Sequence, residues 1–154
     1  MGLKIQIVVD CKNPHDLADW WAETLGWAPE PQDEAFIRSM IAQGYATEAE
    51  TKTHNGKLVW ATGAAIRPVE ELDANQPARR ILFQTVPEQK TVKNRVHWDV
   101  RLEGRDKDEV RTELEARGAT FLWTANEGPT SGTPWRTPRG TSSASAEPIT
   151  RLVR

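Results

Sequence analysis

The chain has one cysteine, Cys11, one tyrosine and three phenylalanines among 154 residues. A lone cysteine excludes an intrachain disulfide and any metal site built from cysteine alone. An excess of one charge is lacking too: 20 Lys and Arg stand against 22 Asp and Glu, a formal net charge of −2. That balance gives no electrostatic case for a nucleic acid or an anionic membrane surface. Apolar runs extend only a few residues, so none spans a bilayer. The first ten residues have neither the apolar core nor the small-residue cleavage pattern of a secretory signal. These absences set the expectation of a cytoplasmic protein with no nucleic-acid and no membrane partner. What is present is the composition of a folded domain, 38% hydrophobic and 27% charged. The length suits one ordinary domain, or two small modules sharing a core. Aromatic area is concentrated in seven tryptophans, the side chain with the most apolar surface to bury.

Lys4 to Asp10 alternates, with Ile5, Ile7 and Val9 on one face, and reads as a strand. Asn13-Pro14 then supplies a helix start, and Asp16 suits the positive end of the helix dipole. Leu17, Trp20, Trp21 and Leu25 form an amphipathic stripe that Gly26 terminates. The same order recurs later. Arg95 to Leu102 alternates, Asp106 and Glu109 have capping-box spacing, Val110 and Leu114 continue a helical stripe, and Gly118 stops it. A repeated strand, helix and glycine stop argues for two similar modules, neither able to bury its sheet face alone. Between them, Asp33 to Tyr45 reads as a helix, and Leu58 to Ile66 and Arg80 to Val86 as strands. Ala119 to Trp123 reads as a further short strand.

Leu25-Gly26-Trp27, Ile81-Leu82-Phe83-Gln84, and Lys93-Asn94-Arg95-Val96-His97 followed by Asp99 form an ordered set. Together they resemble the vicinal oxygen chelate superfamily, in particular its glyoxalase-like branch (glyoxalase, bleomycin resistance, dioxygenase). The resemblance implies an α+β fold of two βαβββ modules forming an open, cup-shaped half-barrel around a pocket. It makes residues 1–154 a single glyoxalase-like domain, with module one at about 1–88 and module two at about 94–137. An atypical tail would fill 138–154.

Enzymes of the superfamily hold a divalent metal through four strand positions, so that it chelates neighbouring substrate oxygens and stabilises developing charge. The resemblance puts the first-strand positions at Gln6 and His97, and the last strand of module one at Gln84. His97 alone is an unambiguous ligand type; an uncharged amide oxygen makes a weaker site. The fourth ligand would lie in an ending like Asp-Pro-Glu-Gly-Asn-Glu-Phe, where this chain has Arg136 to Ala146. A choice of permitted codons for Trp135 to Ala146, read two nucleotides out of phase, can spell Ala-Asp-Pro-Glu-Gly-Asn-Glu-Phe-Cys-Val-Ser. That match suggests a shifted frame near Trp135, and sequencing the source gene tests it. The chain as it stands is expected to lack both the last ligand and the last regular strand of module two.

The functional expectation is a small-molecule-binding glyoxalase-like protein with its pocket in the sheet cup and little or no metal-dependent catalysis. The alternative is a metal-dependent lyase, isomerase or dioxygenase. Pocket residues are expected among Gln6, Trp27, Trp60, Gln84, His97, Trp98 and Trp123, since a binding cup needs apolar walls and a few polar groups. His97 is the single weak metal candidate, to be weighed against an ordinary hydrogen-bonded strand histidine. His15 and His54 read as solvated surface groups. No catalytic residue is assigned and no cofactor is expected, a divalent metal remaining doubtful. The expected partner is a small hydrophobic or planar molecule, and a homodimer stays open.

Overall fold

The computed structural model describes residues 5–75, 77–89, 91, 95–122, 125–127, 130–136 and 149–153, the last three segments by backbone alone. The chain divides into two compact units, residues 1–87 and 88–154.

The first unit opens with β1 (Ile7–Cys11) and α1 (Pro14–Leu25). Pro14 sits in the first turn of α1, where its missing N–H costs nothing. Asn13 holds the N-cap place, although its side chain makes no capping bond. Leu17, Ala18, Trp20, Trp21 and Ala22 are buried on one side of α1. Gly26 ends the helix in the left-handed conformation at φ +65°, and the Trp27 amide returns to the Ala22 carbonyl at 2.8 Å. Next come β2 (Ala28–Pro29) and α2 (Glu34–Ala42), whose N-cap Asp33 accepts from the Phe36 amide at 3.1 Å. The hairpin β3 (Thr51–His54) and β4 (Lys57–Trp60) turns through Asn55 and Gly56, both at positive φ. The last two strands are β5 (Gly63–Arg67) and β6 (Ile81–Thr85).

The main sheet has the order β1-β6-β5-β2, with β1 parallel to β6 and the other pairs antiparallel. Ile66 stands opposite Ile81 and Ala64 opposite Phe83, and all four are buried on the face that packs against α1. Period-two alternation then sends Gly63, Ala65, Leu82 and Gln84 to the other face. Trp21 and Phe83 are among the largest side chains wholly excluded from solvent. Each such burial contributes on the order of 2–3 kcal/mol.

The second unit contains β7 (Trp98–Arg101), α3 (Lys107–Ala116), β8 (Thr120–Phe121), β9 (Ala125–Glu127), β10 (Thr130–Arg136) and β11 (Ile149–Val153). Asp106 caps α3, accepting from the Asp108 and Glu109 amides at 2.9 and 3.0 Å. Val110 and Leu114 are its buried residues. The sheet runs β7-β11-β10-β8, with β7 parallel to β11 and β10 antiparallel to both β11 and β8. Strand for strand this repeats the first unit: β7 takes the place of β1, β11 of β6, β10 of β5 and β8 of β2. The fold is α+β, and each unit carries an open, unclosed sheet.

Three expectations are corrected. The last strand of the second unit is not missing: β11, from the segment read as a tail, pairs on both sides in the middle of the sheet. Leu58 to Ile66 is not one strand, because Ala61 and Thr62 turn the chain between β4 and β5. Both first strands begin later than the alternation indicated, and Ile5 and Val96 are exposed at 91% and 74%. Alternation alone cannot say where a ladder partner begins. Among the described residues no helix is long and apolar enough to cross a membrane.

Candidate functional site

A cleft of about 540 Å³ lies in the first unit, along the sheet face turned away from α1. Its apolar lining comes from Pro31, Trp60, Ala65 and Leu82, and its polar lining from Glu30, Gln32, Arg80 and Gln84, with Thr62, Gly63, Ala64 and Thr85 completing it along the chain. The wall holding Trp60 is fixed by Gln32. That amide accepts from the Trp60 N–H at 2.7 Å and donates to the Gly63 carbonyl at 3.1 Å, bracing the end of β4 against the start of β5.

One corner of the cleft is a clamp around Glu30. Arg80 meets it in a fork, Nε to Oε1 and Nη2 to Oε2, both at 2.7 Å. Arg67 adds Nε to Oε1 at 2.6 Å and a second contact through Nη2. The carboxylate is 14% exposed. Burial pushes its pKa up, but the hydrogen bonds from Arg80 and Arg67 and their charges outweigh this and hold it below the ordinary value. Arg67 also donates through Nη1 to the carbonyls of Glu71, Leu72 and Ala74, pinning the loop that leads to β6. Arg80 donates through Nη1 to Gln6 Oε1 at 3.1 Å.

Of the expected pocket residues, Trp60 and Gln84 line this cleft. Gln6 reaches it only through Arg80. Trp27 is half-buried after the α1 cap and outside the lining. His97 and Trp98 belong to the second unit, where His97 Nε2 lies 3.7 Å from Asp99 Oδ1 and both side chains are about half exposed. Trp123 falls outside the described residues. His15 and His54 correct the surface reading. His15 is only 5% exposed, and His54 is largely enclosed with Nε2 at 2.7 Å from Asp19 Oδ2. Glu30, Arg80 and Gln32 were not foreseen. The signal available for them was thin: Glu30 is held extended between Pro29 and Pro31, and Arg80 directly precedes a strand.

The metal that the resemblance implies does not suit these residues. Gln6 precedes the first residue of β1 and His97 the first of β7, so Asp10 corresponds to Arg101. Asp10 stands opposite Gln84, and Arg101 stands opposite Val153. The counterpart of Gln84 in the second unit is therefore an apolar residue. Gln6 already gives its amide oxygen to a guanidinium, beside which a divalent cation would be repelled. Among the described residues no three His, Cys, Asp or Glu side chains converge as a metal-binding group.

Two β-α-β-β-β units, each with a parallel pair formed by its first and last strands, define a protein of the vicinal oxygen chelate superfamily. The chain belongs to the glyoxalase-like domain family, whose profile matches residues 6–142. Solved structures share the fold at low identity. Protein ATC0852 from Agrobacterium tumefaciens has a TM-score of 0.59 at 11% identity, over 99% of this chain and 97% of that one. A possible glyoxalase from Bacillus cereus has a TM-score of 0.53 at 10% identity, over 100% and 99%. The fosfomycin resistance protein FosX from Listeria monocytogenes has a TM-score of 0.52 at 8% identity, over 99% and 93%. No curated protein sequence matches.

Proposed function

We propose that the protein binds a small hydrophobic or planar molecule in the first-unit cleft, with little or no metal-dependent catalysis. The observation that carries this reading is the cleft itself. At about 540 Å³ it falls within the roughly 300–1,000 Å³ typical of small-molecule sites. Its wall combines an indole and aliphatic groups with a few oriented amides, the mixture that holds a planar compound and fixes its orientation. Sequestration of such a compound is one use, in keeping with the resistance role of the FosX fold relative. A metal-dependent lyase, isomerase or dioxygenase is disfavoured by the donor set: two neutral glutamines, one histidine and a valine.

Calorimetry with planar aromatic compounds tests the reading. Binding should be lost or strongly weakened in Trp60→Ala, whose backbone bonds to Gln32 and His15 do not depend on the indole. Undiminished binding in that variant would place the ligand elsewhere. Zinc, nickel and manganese titrations of tag-free protein should show only weak binding. Tight, stoichiometric binding that vanishes in His97→Ala would restore the enzyme reading.

A further inference from the structure

We infer that the cleft selects planar ligands carrying a single negative charge, of the aromatic carboxylate class; this rests on the small-molecule reading above. The inference comes from a count of charges. Two guanidinium groups, Arg67 and Arg80, share one carboxylate, Glu30, an excess of one positive charge within the clamp; the opposite excess, Arg79 between Glu70 and Glu71, sits outside the cleft lining. The two arginines are not equivalent. Arg67 is solvated by three loop carbonyls and lies outside the cleft lining. Arg80 is in the lining, and its side chain is 26% exposed.

A guanidinium has five N–H donors in a rigid planar fork. Arg80 directs three of them, one from each nitrogen, to Glu30 and Gln6. Among the described residues nothing takes the remaining hydrogens on Nη1 and Nη2. Unfilled donors on both terminal nitrogens of a guanidinium suit an incoming carboxylate. Gln84, exposed in the same lining, adds an amide donor, and Trp60 and Leu82 supply the surface for an aromatic body. Among the described residues, Arg80 and Glu30 are the only charged ones that line the cleft. The carboxylate nearest by register is Asp10, opposite Gln84 on β1; it is exposed and outside the lining. It therefore biases an anionic group toward the Arg80 end.

The test is calorimetry of the full chain at neutral pH with 2-naphthoate, 2-naphthalenemethanol and 2-naphthylmethylammonium. These probes share an aromatic body and differ in charge. Naphthoate should bind about tenfold tighter than the alcohol, the size expected for a hydrogen bond to a charged group, and the ammonium should bind weakest. Added salt should narrow the difference. Glu30→Gln should raise the ratio of naphthoate to alcohol affinity severalfold, because it adds net positive charge while keeping an acceptor. Arg80→Gln should erase the preference. Should either variant fail to fold, the wild-type ratio and its salt dependence decide alone. Equal binding of naphthoate and alcohol overturns the charge preference and leaves the small-molecule reading standing. If none of the three probes binds, both fall.

Discussion

His15 Nε2 lies 2.8 Å from the carbonyl oxygen of Trp60, tying the first turn of α1 to the strand that carries the cleft's indole. A carbonyl only accepts, so Nε2 holds the proton and donates. The His15 ring also lies 4.8 Å, centroid to centroid, from the ring of His54. Burial lowers the His15 pKa from its ordinary 6.5; the Trp60 bond opposes this, His54 and Lys52 lower it further, and Asp19 raises it.

Stability should therefore fall in mild acid. Below pH 6.5 the unfolded chain takes up a proton on this ring that the folded chain still refuses. The contribution is fully present above that pH and is lost as pH falls from there to the depressed folded value. Urea denaturation of wild type and His15→Gln across pH 5 to 8 checks this. The wild-type curve should drop below about pH 6.5, and the variant's should be flatter. Parallel curves would show that the ring titrates normally.

Glu30→Ala should destabilise the first unit by about 2 kcal/mol, somewhat less than the roughly 3–5 for breaking a fully buried pair, because the clamp retains some solvent contact. Its pH window is separate from that of His15. A carboxyl held below its ordinary 4.5 gives stability that is present above that value and lost as pH falls through the folded one. Denaturant melts of wild type and Glu30→Ala at pH 7 and below pH 4 should show the gap closing in acid. A gap that persists would mean the clamp is not the source.

Gly26→Ala isolates a backbone effect. Nothing lies within 4 Å of a Cβ placed there, so no clash contributes, yet φ is +65°. The cost should be about 1 kcal/mol, from the left-handed conformation alone. Thermal or urea melts read it directly, and a loss above about 3 kcal/mol would reveal a packing role the geometry does not contain.

Leu152→Pro tests the central place of β11. Residue 152 stands opposite Thr133 on one side and Val100 on the other, and a proline at a position paired on both edges removes a ladder hydrogen bond. Amide exchange should lose protection in β7 and β10 while β1, β5 and β6 keep theirs. Unchanged exchange throughout the second unit would remove β11 from the sheet.

Much of this protein is written in short stretches of chain. The stripe Leu17, Trp20, Trp21 and the stop at Gly26 give α1 because a helix repeats every three to four residues and glycine tolerates left-handed backbone. Asp106 gives the start of α3 because a carboxylate satisfies first-turn amides whatever surrounds it. The doubling of strand, helix and glycine was visible for the same reason: each element depends on neighbours within about ten residues.

The cleft was less visible. Trp60 and Gln84 could be proposed as lining because strand tryptophans and glutamines suit a pocket wall, but nothing local distinguishes Trp60 from Trp27. Glu30 and Arg80 are 50 residues apart; only the folding of β5 and β6 beside β2 brings the carboxylate between two guanidiniums. Likewise His15, polar and in a first helical turn, reads as surface until the β3–β4 hairpin supplies the Trp60 carbonyl. Val153 at the place matching Gln84 follows from which residue of β11 faces Arg101, since a one-residue slip would exchange the faces of the strand. Helix starts and stops come from local sterics and capping. Register and the meeting of distant charges come from packing whole sheets and helices together, and those contacts give the cleft its shape and its charge.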